Sequence, residues 1–142
     1  MSNIPADTVA KRQTEAWNEH DGARVARGYT EDAIVLDPAY TEPLTGREAI
    51  EKDASDFFIA FPDIIFRASK ILVDHETAVL EGTAKGTHAG PLLLPAGLIP
   101  ATSRPVEFNL AIISDLDEVG SIRGERRYYD LAALLSQLGL LR

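Results

Sequence analysis

One aspartate and one histidine in this 142-residue chain stand where proton chemistry is possible. Asp130 ends the last strand-like run and immediately precedes a leucine-rich stretch, Leu131, Leu134, Leu135 and Leu138. A carboxylate at a strand end under apolar cover has its charged form disfavoured by desolvation, which raises its basicity toward working pH. Such a group can remove a proton alpha to an ester carbonyl and later protonate the new alkoxide. The same residue also suits the cap of a helix, because Asp is a preferred N-cap, and the two roles are compatible. His88 lies outside the predicted turns and carries a side chain that ionises near pH ~6.5, suited to polarising a carbonyl or shuttling a proton. A strand-end histidine can equally be a hydrogen-bonded structural residue. His20 and His75 sit beside predicted turns. The last strand adds Arg123, Glu125, Arg127 and Tyr129 on one face, and Gly124, Arg126, Tyr128 and Asp130 on the other. Either face can line a cavity, and cross-strand surface salt bridges are the plain alternative.

The elements that must position these groups read as follows. Pro5 to His20 is predicted as a helix, with Val9, Ala10, Gln13, Thr14 and Trp17 on one face. Asp21-Gly22 breaks it, and Ala23 to Gly28 forms a short second helix. Ala33 to Leu36 is a brief strand that stops at Asp37-Pro38, where an Asx-type turn is the usual arrangement. Ala39 to Thr45 has turn chemistry. Gly46 opens a third helix through Ile50, Ala54, Phe57, Phe58 and Phe61, which Pro62 ends. The period then changes to two. Strands are predicted at Ile64–Val73, Thr77–His88, Val106–Ser114 and Gly120–Tyr129, with turns at Asp74-His75-Glu76 and Asp115–Val119. A loop from Ala89 to Arg104 separates the second and third of these, and an amphipathic helix follows Asp130, with Gly139 as its C-cap. Helices segregated from a largely antiparallel sheet define an α+β domain. We expect a curved sheet packed against three N-terminal helices, a cone enclosing a small-molecule cavity.

Composition narrows the function classes. Fourteen Lys and Arg against 22 Asp and Glu leave a net charge of −8. That surface repels phosphate backbones, so no nucleic-acid partner is expected. The absence of cysteine excludes disulfides, thiolate metal sites and cysteine nucleophiles. The N-terminal MSNIPADT has no signal-peptide character, and no apolar run is long enough to span a bilayer, so a cytoplasmic protein without a membrane partner is expected. Asp115-Leu-Asp117-Glu118 lacks the glycine and distal glutamate of a calcium loop, and no glycine-rich phosphate loop occurs, so neither metal nor cofactor is expected.

Two blocks carry a family resemblance. Tyr29-Thr-Glu-Asp-Ala-Ile-Val-Leu-Asp37-Pro38, followed by Gly46-Arg-Glu-Ala-Ile50, resembles a block common to the nuclear-transport-factor-2-like α+β barrels, the cystatin-like cones that include ketosteroid isomerases. Gly86-Thr-His88-Ala-Gly90, Pro100-Ala-Thr-Ser103-Arg104-Pro-Val106, Tyr129-Asp130 and Gln137-Leu-Gly139 are similar to the pattern of SnoaL-like polyketide cyclases, with Ser103 where that pattern has glycine. The resemblance implies one SnoaL-like domain over residues 1–142. It implies Asp130 as the general acid/base of an intramolecular aldol closure on a polyketide-like ester, and Asp37 and His88 are expected to assist or orient. It also implies a homodimer formed through the sheet face opposite the helices. By the ketosteroid isomerase resemblance, Asp37 is instead the base that moves a proton between carbons. That family's oxyanion hole uses a Tyr and a protonated Asp. Gln13 occupies the first position, and the strand carrying Glu107 and Asn109 supplies no Asp for the second, which disfavours a steroid isomerase. An Arg beside an Asp also resembles the water-activating Asp-Arg-Asp of limonene-epoxide-hydrolase-like members, but no second Asp stands in clear register.

Trp17, Phe57, Phe61, Asn109, Arg126 and Tyr128 are the expected ligand contacts. The apolar loop Pro91–Pro100 is expected to act as a lid or to meet a second subunit, with internal packing as the alternative. An enzyme acting by cofactor-free acid/base catalysis on a hydrophobic carbonyl compound is the first reading. A non-catalytic module that binds such a ligand is the rival.

Overall fold

The computed structural model describes residues 4–141. In chain order the elements are α1 (Ala6–Asn18), α2 (Gly22–Arg27), β1 (Tyr29–Leu36), β2 (Leu44–Thr45), α3 (Arg47–Ala60), β3 (Ile65–Asp74), β4 (Thr77–Thr87), β5 (Leu92–Leu94), β6 (Gly97–Ile99), β7 (Pro105–Leu116), β8 (Ile122–Tyr129) and α4 (Leu131–Gln137). β1, β2, β3, β4, β7 and β8 form a six-stranded sheet in the order β2-β1-β8-β7-β4-β3, with the helices packed over one face. The architecture is the expected α+β arrangement.

Local chemistry explains the boundaries. α1 starts after Pro5, whose fixed backbone suits a helix start, and ends before His20 turns into the left-handed region at φ +56°. Asp21 caps α2 by accepting the Arg24 backbone N–H at 3.1 Å. Gly46, at φ +87°, supplies the turn that launches α3, a backbone conformation that side chains other than glycine resist. β3 and β4 form the predicted hairpin, and Gly82 sits where a Cβ would lie 2.3 Å from the Arg67 carbonyl oxygen.

The structure differs from the sequence reading at three places, one of them the short strand β2 inside the predicted Ala39–Thr45 turn. The predicted short strand at Ala33–Leu36 begins four residues earlier, at Tyr29, and pairs parallel with β8 while pairing antiparallel with β2. The sheet is therefore mixed at this edge. The predicted Ala89–Arg104 loop contains the β5–β6 hairpin, in which Leu92 faces Ile99.

Strand alternation divides the sheet into two faces. Ala33 and Val35 of β1, Phe108, Leu110 and Ile112 of β7, and Glu125, Arg127 and Tyr129 of β8 point toward the helices. Ile34, Leu36, Asn109, Ile113, Arg126 and Tyr128 point away. The core runs between the inner face and the helices, with Val25, Tyr29, Ile50, Phe61 and Ile64 fully enclosed.

Candidate active site

Between the inner sheet face and the helices lies a cavity of about 160 Å³. An apolar void of this size holds a ligand of one or two rings. Trp17, the only tryptophan, forms one wall with Phe57 and Phe66, its ring edge-on to theirs at centroid distances of 6.2 and 5.5 Å. Leu92, Leu93 and Leu94 of β5 form another, so the apolar loop covers the cavity from the side of α3.

One part of the wall is ionic. Arg127 is buried and donates through Nη1 to Asp37 Oδ2 at 3.1 Å and to Asp53 Oδ2 at 2.8 Å, and through Nε to Glu125 Oε2 at 2.8 Å. Each carboxylate also accepts one tyrosine hydroxyl. Tyr129 donates to Asp37 Oδ1 at 2.6 Å, Tyr40 to Asp53 Oδ1 at 2.6 Å, and Tyr29 to Glu125 Oε1 at 2.8 Å. Asp37 Oδ1 further accepts the Ala39 N–H at 2.8 Å, the expected Asx turn. The Arg127 guanidinium carbon stands 5.4 Å from the Trp17 ring centre, and Nη2 has no hydrogen-bond partner among the described residues.

The electrostatics follow from burial and neighbours. Burial opposes the charge of Arg127, yet Asp53, Glu125 and Asp37 around it hold its ionisation well above the ordinary arginine value. Burial, with Asp37 beside Tyr129 and Asp53 beside Tyr40, pushes both hydroxyls far above the usual tyrosine value. These tyrosines therefore act as hydrogen-bond donors and not as bases. Three carboxylates share one guanidinium in a partly desolvated place, so none of them has a full positive charge to itself.

The expected site residues divide sharply. Asp37, Trp17, Phe57 and Phe61 line the cavity. Asp130 does not: its carboxylate is exposed and accepts the Ala133 N–H at 2.9 Å, capping α4 on the outside. His88 is fully enclosed behind Phe61, whose ring lies 5.4 Å away, and its Nδ1 accepts the Thr102 N–H at 3.2 Å. It does not line the cavity. Arg126, Tyr128 and Asn109 are corrected to the outer face, because β8 turns its odd-numbered residues inward and β7 its even-numbered ones. Arg126 pairs there with Asp115 at 2.9 Å, and Tyr128 is 54% exposed.

Five polar groups on the ionic wall stand outside the expected contacts: Glu125, Arg127 and Tyr129 on the face of β8 that the sequence left open, and Asp53 and Tyr40. Asp53 of helix α3 joins Asp37 on Arg127 in an Asp-Arg-Asp arrangement, although no second aspartate stood in clear register in the sequence. Its signal was present, since Ile50, Asp53, Ala54, Phe57 and Phe61 fall at helical spacing and put a carboxylate on the apolar stripe. Tyr40 lies in a turn segment and has no comparable periodic signal. Among the described residues, no group of three or more His, Cys, Asp or Glu is arranged to hold a metal ion, and no helix is long and apolar enough to cross a membrane.

Comparison with known proteins adds the following. A family model described as SnoaL-like polyketide cyclase matches residues 7–138. No curated protein matches the sequence significantly. Among solved structures, AclR from Streptomyces galilaeus superposes with a TM-score of 0.81 at 18% identity, covering 96% of this chain and 97% of that one. IdmH from Streptomyces antibioticus gives 0.77 at 22% identity over 96% and 99% of the two chains. A protein of ketosteroid isomerase-like fold from Catenulispora acidiphila, solved in complex with trimethylamine, gives 0.77 at 19% identity over 93% and 92%. At these identities the likeness is one of fold.

Proposed function

The chain belongs to the SnoaL-like polyketide cyclase family, and from that premise we propose that it is an enzyme acting by acid/base catalysis on a hydrophobic, carbonyl-bearing small molecule. One observation carries the reading: Asp37 places a carboxylate, 7% exposed, on the wall of an otherwise apolar cavity between a tyrosine donor and a guanidinium. Asp37 is the base in this scheme. It takes the proton alpha to the ligand carbonyl, and the electron pair moves to the carbonyl oxygen as an enolate. Once protonated, Asp37 accepts the Tyr129 hydroxyl more weakly, which frees that hydroxyl for the enolate oxygen. Charge moves from Asp37 to the enolate without growing, and Arg127 stays beside both. In an intramolecular aldol closure the enolate carbon bonds a second carbonyl carbon, and the alkoxide formed recovers the proton from Asp37. A polyketide-like ester meets these needs. The expected acid/base role of Asp130 passes to Asp37 in this proposal, because the Asp130 carboxylate faces solvent.

Assembly as a homodimer belongs to the same reading. Ile34, Leu36 and Tyr128 are exposed by 49, 47 and 54% on the outer sheet face, an apolar strip suited to a second copy.

The test uses 2-indanone, a two-ring ketone with acidic alpha protons, in deuterated buffer. Catalysed exchange of those protons supports the reading. Binding of the ketone, seen as a change in Trp17 fluorescence, with exchange no faster than in buffer points to a module that binds without turnover.

A further inference from the structure

Glu125 lines the cavity beside Arg127, and Tyr29 lies behind it. Glu125 is 5% exposed and Tyr29 fully enclosed, and Tyr29 does not line the cavity. Removing the Glu125 carboxylate would leave the buried Arg127 Nε without its partner, so the pair belongs to the Arg127 network. A carboxylate that has an arginine to itself becomes a weak base, its proton affinity lowered by 1–3 pH units in general. Abstraction of a carbon-bound proton needs a stronger one. Here Arg127 divides its hydrogen bonds among Asp37, Asp53 and Glu125.

We propose that Glu125, anchored by Tyr29, is a positioning residue that offsets the Arg127 charge and so maintains the basicity of Asp37. This rests on the acid/base reading given above. Every charged or titratable group on Asp37 enters the argument. From β8 come Arg127 and Tyr129 by direct contact and Glu125 through Arg127. Asp53 of α3 shares Arg127 Nη1, and Tyr40 of the adjoining turn reaches Asp37 through Asp53. Removing the Glu125 charge leaves Arg127 more strongly committed to the two aspartates, and Asp37 then holds a proton less well.

The experiment is the pH–rate profile of 2-indanone exchange. It compares the wild type with Glu125→Gln and with the paired apolar replacement Tyr29→Phe, Glu125→Leu. The acid limb is expected to move about one pH unit lower in both variants, with a reduced plateau from the weaker base. Asp115→Asn removes a carboxylate from the outer face of the same sheet and is expected to leave the limb in place. The paired variant keeps the test open if Glu125→Gln fails to fold. A rate reduced equally at every pH, with the limb unmoved, marks a merely structural role and overturns the inference while sparing the function. Absence of exchange in the wild type overturns both.

Discussion

The Tyr129 hydroxyl donates to Asp37 at 2.6 Å although the two residues lie 92 positions apart. The parallel pairing of β1 with β8 brings them together: Leu36 stands opposite Arg126, so the first residues beyond β1 arrive level with the inward side chains that end β8. A base in a turn thus meets a donor and a cation on a rigid strand, and sheet register sets their separation.

Asp130 is expected to behave as a cap. Asp130→Ala removes the acceptor of the Ala133 N–H and should cost about 1 kcal/mol. For a chain of this size that lowers the melting temperature by about 3 °C. Calorimetry measures the loss, and the 2-indanone exchange rate should stay at its wild-type value.

Ser103 holds a left-handed backbone, φ +61°, in the neck of the β5–β6 loop, at the position where the family pattern has glycine. A side chain costs about 1–2 kcal/mol there, partly offset by the greater freedom of glycine in the unfolded chain. Ser103→Gly should therefore stabilise the protein by about 1 kcal/mol. A melting temperature at or below wild type would contradict this.

His88 ties acid stability to the same neck. Burial holds its imidazole below the ordinary histidine value, and its Nδ1 must stay unprotonated to accept the Thr102 N–H. The unfolded chain takes up this proton near pH ~6.5 while the folded chain resists it. The contribution is complete above that pH and is lost as pH falls toward the folded-state value. Urea midpoints at pH 7.5 and 5.5 should drop more for the wild type than for His88→Gln, which has no proton to gain. Equal drops would show that His88 adds nothing to acid sensitivity.

The outer sheet face gives a further test. Leu36→Glu puts a charge into the apolar strip of Ile34, Leu36 and Tyr128. Light scattering should find a mass of two copies in the wild type and of one in the variant.

How much of this was legible depended on periodicity. The period-two runs and the Gly46 and Pro62 boundaries placed β3, β4, β7, β8 and α3 nearly where they stand. The Asp37-Pro38 block and the aromatic positions Trp17, Phe57 and Phe61 reached the cavity as expected. Face assignment on β8 did not follow, because both alternating sets contain polar groups and only the packing of neighbouring strands decides which one is buried. Arg126 and Tyr128 were read inward for that reason, while Arg127 and Tyr129 occupy the site. Asp130 carries the signature of both roles, because a helix cap and a strand-end base look alike in one dimension. The parallel β1–β8 pairing, a contact between distant segments, has no local sequence signal.

The most direct test of the account is the rate of 2-indanone alpha-proton exchange measured side by side for the wild type, Asp37→Asn and Asp130→Asn. Both substitutions are nearly isosteric, and asparagine still caps a helix. The account predicts that Asp37→Asn loses about 10²–10⁴-fold in rate, the usual contribution of a positioned base, while Asp130→Asn matches the wild type. Loss on replacing Asp130, with Asp37→Asn fully active, would contradict it and return the chemistry to the end of the last strand.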